Sequence, residues 1–171
     1  MGQKIVVNDT NILIDLSSVN LLDAFFELDF DMRTLNVLLR EVLNKKARED
    51  MLEFIERKKL RVVKLTRKQS IIATQMLKNR ERNESAADCA AWLYAKEENA
   101  ILLTGDANLR KSAEADNVEV HGVIFVFDEL VKSGIVTPRI AAERLAMLSG
   151  INTRLPMREI DRRLALWSDM D

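Results

Sequence analysis

Short continuous apolar runs alternate along the chain with longer stretches in which apolar residues recur at helical spacing, and that alternation predicts βα units. Lys4 to Asn8, centred on Ile5-Val6-Val7, reads as the first strand. Helical material follows from Ile12 to Glu27, and a further helix is expected to begin near Thr34, with that threonine as its N-cap. Arg61 to Leu65 reads as the second strand. Thr66 and Gln69 form a T-x-x-Q capping box, which opens a helix running to about Asn83. The next helix spans Glu84 to Glu98. Strands at Ala100 to Thr104 and Val118 to His121 come next, separated by a short helix starting near Asn108. The sheet should be mostly parallel.

Beyond His121 the pattern turns wholly helical. Thr137 caps a helix with Pro138 at its first position, a break is expected at Gly150, and a last helix runs from Met157 to Trp167. Residues 1–121 therefore read as an α/β core and residues 122–171 as a helical C-terminal extension, packed on the core or continuous with it. The leucines of the extension, with Ile160 and Trp167, suit either the helices of the core or a partner chain.

A chain of 171 residues with 47% hydrophobic content can bury one sizeable core without disulfides. Its single cysteine, Cys89, lies in an alanine-rich helical pattern and reads as a buried filler rather than a nucleophile. No stretch approaches the roughly 20 apolar residues of a membrane span, and a strand begins within a few residues of Met1. A cytoplasmic, reducing location with no membrane contact is the expectation.

The net charge of -1 conceals an asymmetry. Residues 1 to 39 carry two basic and six acidic side chains, residues 40 to 82 carry fourteen and six, and residues 83 to 171 carry ten and fifteen. Arg57, Lys58, Lys59, Arg61 and Lys64, with Arg67 and Lys68, are accordingly candidates for phosphate contacts with a nucleic acid. The same composition describes an ordinary solvated helix face.

Four carboxylates change the picture further. Asp9 follows the first strand and Asp106 follows Ile101-Leu102-Leu103, so both should project from the carboxyl edge of the sheet, where open α/β sheets bind ligands. Each alone could be a helix N-cap. Their polar neighbours Asn11, Thr104 and Asn108 favour a site. Glu84 and Asp88, four residues apart, should share the apolar face that holds Ala91, Trp92 and Ala95, and such a like-charge pair calls for a cation. Glu41 stands at the edge of the stripe made by Leu35, Leu38, Val42 and Leu43, where an exposed glutamate is equally ordinary. Gathered acids repel one another unless protons or a divalent cation compensate.

In order and context these segments resemble the PIN-domain nucleases, a family that includes the toxins of many bacterial toxin-antitoxin pairs. Asp9-Thr10-Asn11-Ile12-Leu13-Ile14 looks like the opening segment of the family, and Leu39-Arg40-Glu41-Val42-Leu43 is similar to its helical glutamate segment. Glu84-Ser85-Ala86-Ala87-Asp88 resembles the helix of the third acid, and Leu102 to Arg110 resembles the strand end of the fourth. Val120-His121-Gly122 and the helical tail are similar to a longer PIN-like subset.

The resemblance implies a three-layer α/β/α sandwich with strand order 3-2-1-4-5, one or two Mg²⁺ or Mn²⁺ ions, and cleavage of RNA. It also implies an antitoxin partner reaching into the acidic pocket and a homodimer. Asp9, Asp88 and Asp106 would hold the cation, and Glu41 would ligate it or orient its water; Asn11, Thr104, Asn108 and Glu84 would support them. The single histidine, His121, is distant in sequence from every acid, which argues against a histidine general base.

Two competing readings remain. A haloacid-dehalogenase-like phosphatase also uses a strand-end aspartate and a later Gly-Asp pair, here Gly105-Asp106, but it needs an acid two residues after the nucleophile, where this chain has Asn11. The other is a catalytically silent PIN-like module that binds RNA or protein. The RNA, its cleavage site and the cellular role are not written in the residues.

Overall fold

Successive strand residues enter two separate buried clusters. In β1 (Lys4–Asn8), Val6 joins one and Val7 the other; in β4 (Ile101–Leu103), Ile101 and Leu103 join the first and Leu102 the second. A sheet buried on both faces in this way requires a helical layer on each. The computed structural model describes residues 2–78 and 84–170. It contains a parallel sheet in the order β3-β2-β1-β4-β5, where β2 is Phe30–Leu35, β3 is Arg61–Val63 and β5 is Glu119–His121. The architecture is the three-layer α/β/α sandwich that the resemblance implied.

One layer comprises α1 (Thr10–Ser18), α2 (Leu22–Phe25), α4 (Lys45–Glu56), α8 (Val123–Lys132), α9 (Pro138–Ile151) and α10 (Met157–Ser168). Leu13, Phe25, Met51, Phe127, Leu145 and Trp167 bring all six into one core cluster with Val6. The C-terminal helices thus share the core of β1 rather than leaving their apolar stripe to solvent. The other layer comprises α3 (Asn36–Arg40), α5 (Arg67–Lys78), α6 (Ala86–Glu97) and α7 (Ala107–Ala115), which enter the second cluster through Leu38, Ala73, the alanines of α6, and Leu109. Cys89 is fully buried among those alanines.

Several elements match their sequence signals. Thr66 and Gln69 bond reciprocally at the start of α5, and Thr137 accepts from the Ile140 N–H ahead of Pro138. The end of the expected helix at Asn83 lies outside the described residues. The break expected at Gly150 comes later, because α9 runs to Ile151.

Thr34 is not a helix cap. It lies inside β2, a strand the sequence pattern concealed, and its hydroxyl donates to the Asn8 carbonyl at 2.8 Å. The strand reads as polar because it carries Asp31 and Arg33. These pair with each other at 2.6 Å, and Arg33 reaches Tyr94 on α6 and Glu98 at its C-cap, so the charges are satisfied against a covering helix. Among the described residues, no helix is long and apolar enough to cross a membrane.

Candidate functional site

Parallel strands deliver the residues that follow them to one edge, and the order of this sheet reverses direction between β1 and β4. That reversal opens a crevice beyond the carboxyl ends of the two strands. Asn8 pairs in register with Leu103, and the Asp9 N–H donates to the Leu103 carbonyl at 2.9 Å, which sets Asp9 beside Thr104. Thr104 is fully buried and joins both strand ends: its hydroxyl donates to Asp9 Oδ2 at 2.8 Å and accepts from the Asp106 N–H at 3.1 Å.

Asp9 occupies the N-cap position of α1, but its carboxylate makes no capping bond there. It is only 4% exposed, and among the described residues it has no cationic partner. Burial pushes its pKa up to about 6; the Thr104 hydroxyl pulls downward, while the Asp88 and Asp106 carboxylates push it up further. Two acids distant in sequence are therefore electrostatic neighbours of Asp9.

Asp106 does cap its helix, accepting from the Asn108 and Leu109 N–H groups through Oδ1 at 2.8 Å each. Asp88 is the third residue of α6 and completes a capping box with Ser85, accepting the Ser85 N–H at 2.7 Å through Oδ2. In each case one carboxylate oxygen secures a helix start and the other is not used by the cap. The positive ends of α1, α6 and α7 meet at this edge and offset part of the acid repulsion. Glu41 ends α3 as an exposed residue, and burial followed by the Asp88 carboxylate raises its pKa.

These acids influence one another without closing into a ready cage. Among the described residues, no group of three His, Cys, Asp or Glu side chains is arranged to hold an ion. The donor chemistry nonetheless fits a hard divalent cation: every group is a carboxylate, the most buried one is pressed by two more, and among the described residues no lysine or arginine pairs with any of the three.

Glu84 departs from the sequence reading. Ser85 starts α6 after it, so Glu84 and Asp88 do not share a helix face. Glu84 is buried, and it accepts a hydrogen bond from the Ser112 hydroxyl of α7. Asn11 is exposed beside Asp9, and Asn108 contributes its backbone N–H to Asp106 while its side chain is exposed.

The basic candidates divide across the sheet. Lys58 and Lys59 precede β3 and Arg61 opens it, so all three lie at the amino edge, opposite the acids, where they line a cavity of about 620 Å³ with Asp29 and Asp31. Arg57 is paired with Asp23 and Glu53 and lies over Phe54. Lys64 follows β3 and, with Arg67 and Lys68 at the start of α5, lies at the carboxyl edge.

The raised pKa of Asp9 makes a stability prediction. The folded state holds its proton up to about pH 6, against an ordinary value of 3.8, so stability falls as pH rises between those values and the cost is complete above them. Asp9→Asn removes that cost. In chelator near neutral pH the variant should melt a few degrees above the parent, with the difference fading toward about pH 4 in a thermal-shift titration. An equal gap at both ends would contradict the assignment.

A family model described as DUF3368, a PIN domain, matches residues 5–169. No curated protein matches the chain by sequence. Among solved structures, VapBC2 from Rickettsia felis bound to a DNA fragment from its promoter is similar at 16% identity and a TM-score of 0.48, covering 69% of this chain and 98% of that one. FitAcB from Neisseria gonorrhoeae is similar at 20% identity and a TM-score of 0.45, covering 67% of this chain and 95% of that one.

Proposed function

The chain belongs to the PIN-domain family, and from that premise we propose that it is a metal-dependent endoribonuclease acting as the toxin of a toxin-antitoxin pair. The observation that carries the proposal is Asp9: a buried carboxylate with no cationic partner among the described residues, pressed by Asp88 and Asp106 at the switch point of a parallel sheet. Family membership removes the phosphatase alternative.

Asp9, Asp88 and Asp106 would hold the ion through the oxygens that their structural bonds leave over. Magnesium or manganese bound there supplies a lower pKa for a water molecule and neutralises charge growing on the phosphate. Thr104 fixes one oxygen of Asp9 and the backbone of Asp106 together, so it sets the spacing of two acids from a single hydroxyl. Glu41, its pKa raised by burial and then by Asp88, would orient the attacking water and take its proton. The substrate is RNA, the protein partners are an antitoxin and a second copy of the chain, and the compartment is the cytoplasm.

A silent binding module is the second reading, and the unclosed acid cluster favours it. Manganese separates the two. An ion at about a hundred times its Kd adds about 2.7 kcal/mol to the folded state, or roughly 5–10 °C in melting temperature for a domain of this size. The parent protein should show that rise and Asp9→Asn should show none; a parent indifferent to Mn²⁺ would leave the silent module standing.

A further inference from the structure

A groove of about 950 Å³ lies beside the acid cluster, lined by Thr104, which bonds to both Asp9 and Asp106, and by Gly105 and Ala107 on either side of Asp106. Thr104 and Asn11 form its near end, and its far wall is the turn from Asn152 to Pro156 that joins α9 to α10. That turn is tied down: Asn152 donates to Asp15 on α1 at 2.9 Å and accepts from the Arg154 N–H at 3.1 Å. The C-terminal helices therefore do more than cover the sheet; they hold an arginine over the groove.

The groove's charges are unevenly spent. Its carboxylates Asp128 and Glu159 are both bonded to Arg163, and Asp15 receives Asn152. Arg110 and Arg154 also line the groove, and among the described residues neither has an ion pair. Arg110 comes from the first turns of α7, four residues after Asp106, and its guanidinium lies where a Cβ on Gly122 would approach it to 2.9 Å. Gly122 thus leaves room for the guanidinium beside the Thr104 carbonyl. The His121 and Phe125 rings stack at 4.1 Å and 10° and line the same groove as the two arginines.

We propose that this groove binds the single-stranded RNA segment next to the scissile phosphate, with Arg110 and Arg154 contacting its phosphates and the His121–Phe125 pair receiving a base. Guanidinium forks suit phosphate oxygens, and a flat ring pair accepts any base, so recognition here is of backbone and stacking rather than sequence. The choice of ligand rests on the nuclease reading. The groove adjoins the acids through Thr104 at the carboxyl edge, whereas Lys58, Lys59 and Arg61 lie at the opposite edge of the sheet.

The test is fluorescence anisotropy of the full chain with a short labelled single-stranded RNA of mixed sequence, in chelator so that nothing is cut. Arg110→Gln and Arg154→Gln should each weaken binding several-fold. Together they should reduce the slope of log K against log salt by about 1.4, the loss of two single-strand phosphate contacts. Arg154 is exposed, so its variant reports on binding rather than folding. His121→Ala should weaken binding with no change in slope. A slope moved by Lys58→Gln with Lys59→Gln, and not by the arginine pair, would overturn the proposal. So would an unchanged affinity in all groove variants, which would leave the groove to a peptide. Since binding is read without metal, intact groove binding in a protein that cleaves nothing would fail the nuclease reading alone, and Mn²⁺-dependent cleavage with unaltered groove variants would fail the groove alone.

Discussion

Asp106→Asn should lose Mn²⁺-dependent RNA cleavage by at least about a hundredfold while keeping the melting temperature of the parent in chelator. The substitution is informative because of what Asp106 does besides hold charge. Its Oδ1 receives two N–H groups at the start of α7, and asparagine caps helices as well as aspartate does. The amide keeps that cap and surrenders the anion, so a drop in turnover with an unchanged melt isolates the role of the charge. Alanine would confuse the two, since losing the cap alone costs about 1 kcal/mol. Glu41→Gln should fall less steeply, because Glu41 is exposed and is coupled to the other acids only through Asp88. Full activity in Asp106→Asn would refute the mechanism, whatever the other variants did.

Trp167→Ala should cost about 3–5 kcal/mol and lower the melting temperature by roughly 10 °C in one cooperative transition. Trp167 is near the end of the chain, yet it is 2% exposed and belongs to the cluster that contains Val6 and Leu13. The cavity left by the indole would open inside the helical layer that packs on β1 rather than at a dispensable tip. Two separate transitions, or a loss confined to the tail, would mean that α10 is only loosely attached. Because the same tail carries Arg154, the variant should also weaken RNA binding when measured close to its melting temperature.

How much of this was legible in the residues follows from how each signal is encoded. β1, β4, Asp9 and Asp106 were readable because a continuous apolar run ended by an acid means the same thing in any parallel sheet. β2 was not, because the groups that satisfy Asp31 and Arg33 lie on α6, far along the chain. Glu84 falls outside the helix for a local reason: Ser85 and Asp88 have capping-box spacing, which starts α6 after Glu84 and outweighs the four-residue spacing of the two acids. The basic segment was grouped by proximity in sequence, but strand polarity separates it, since residues before a parallel strand emerge opposite those that follow it. Arg110 lay within the motif that pointed to Asp106. Nothing local distinguishes Arg154, whose position depends on Asn152 meeting Asp15 across most of the chain.

Both outer strands of the sheet, Arg61–Val63 and Glu119–His121, are three residues long and bear charged or titratable side chains. So brief a border offers few free amides and carbonyls to an incoming segment. A protein that captures this chain gains little by β-augmentation and must find its affinity in side-chain clefts or helical surfaces. The same shortness blocks ribbon-like stacking of copies, which keeps self-association a matter of helix contacts.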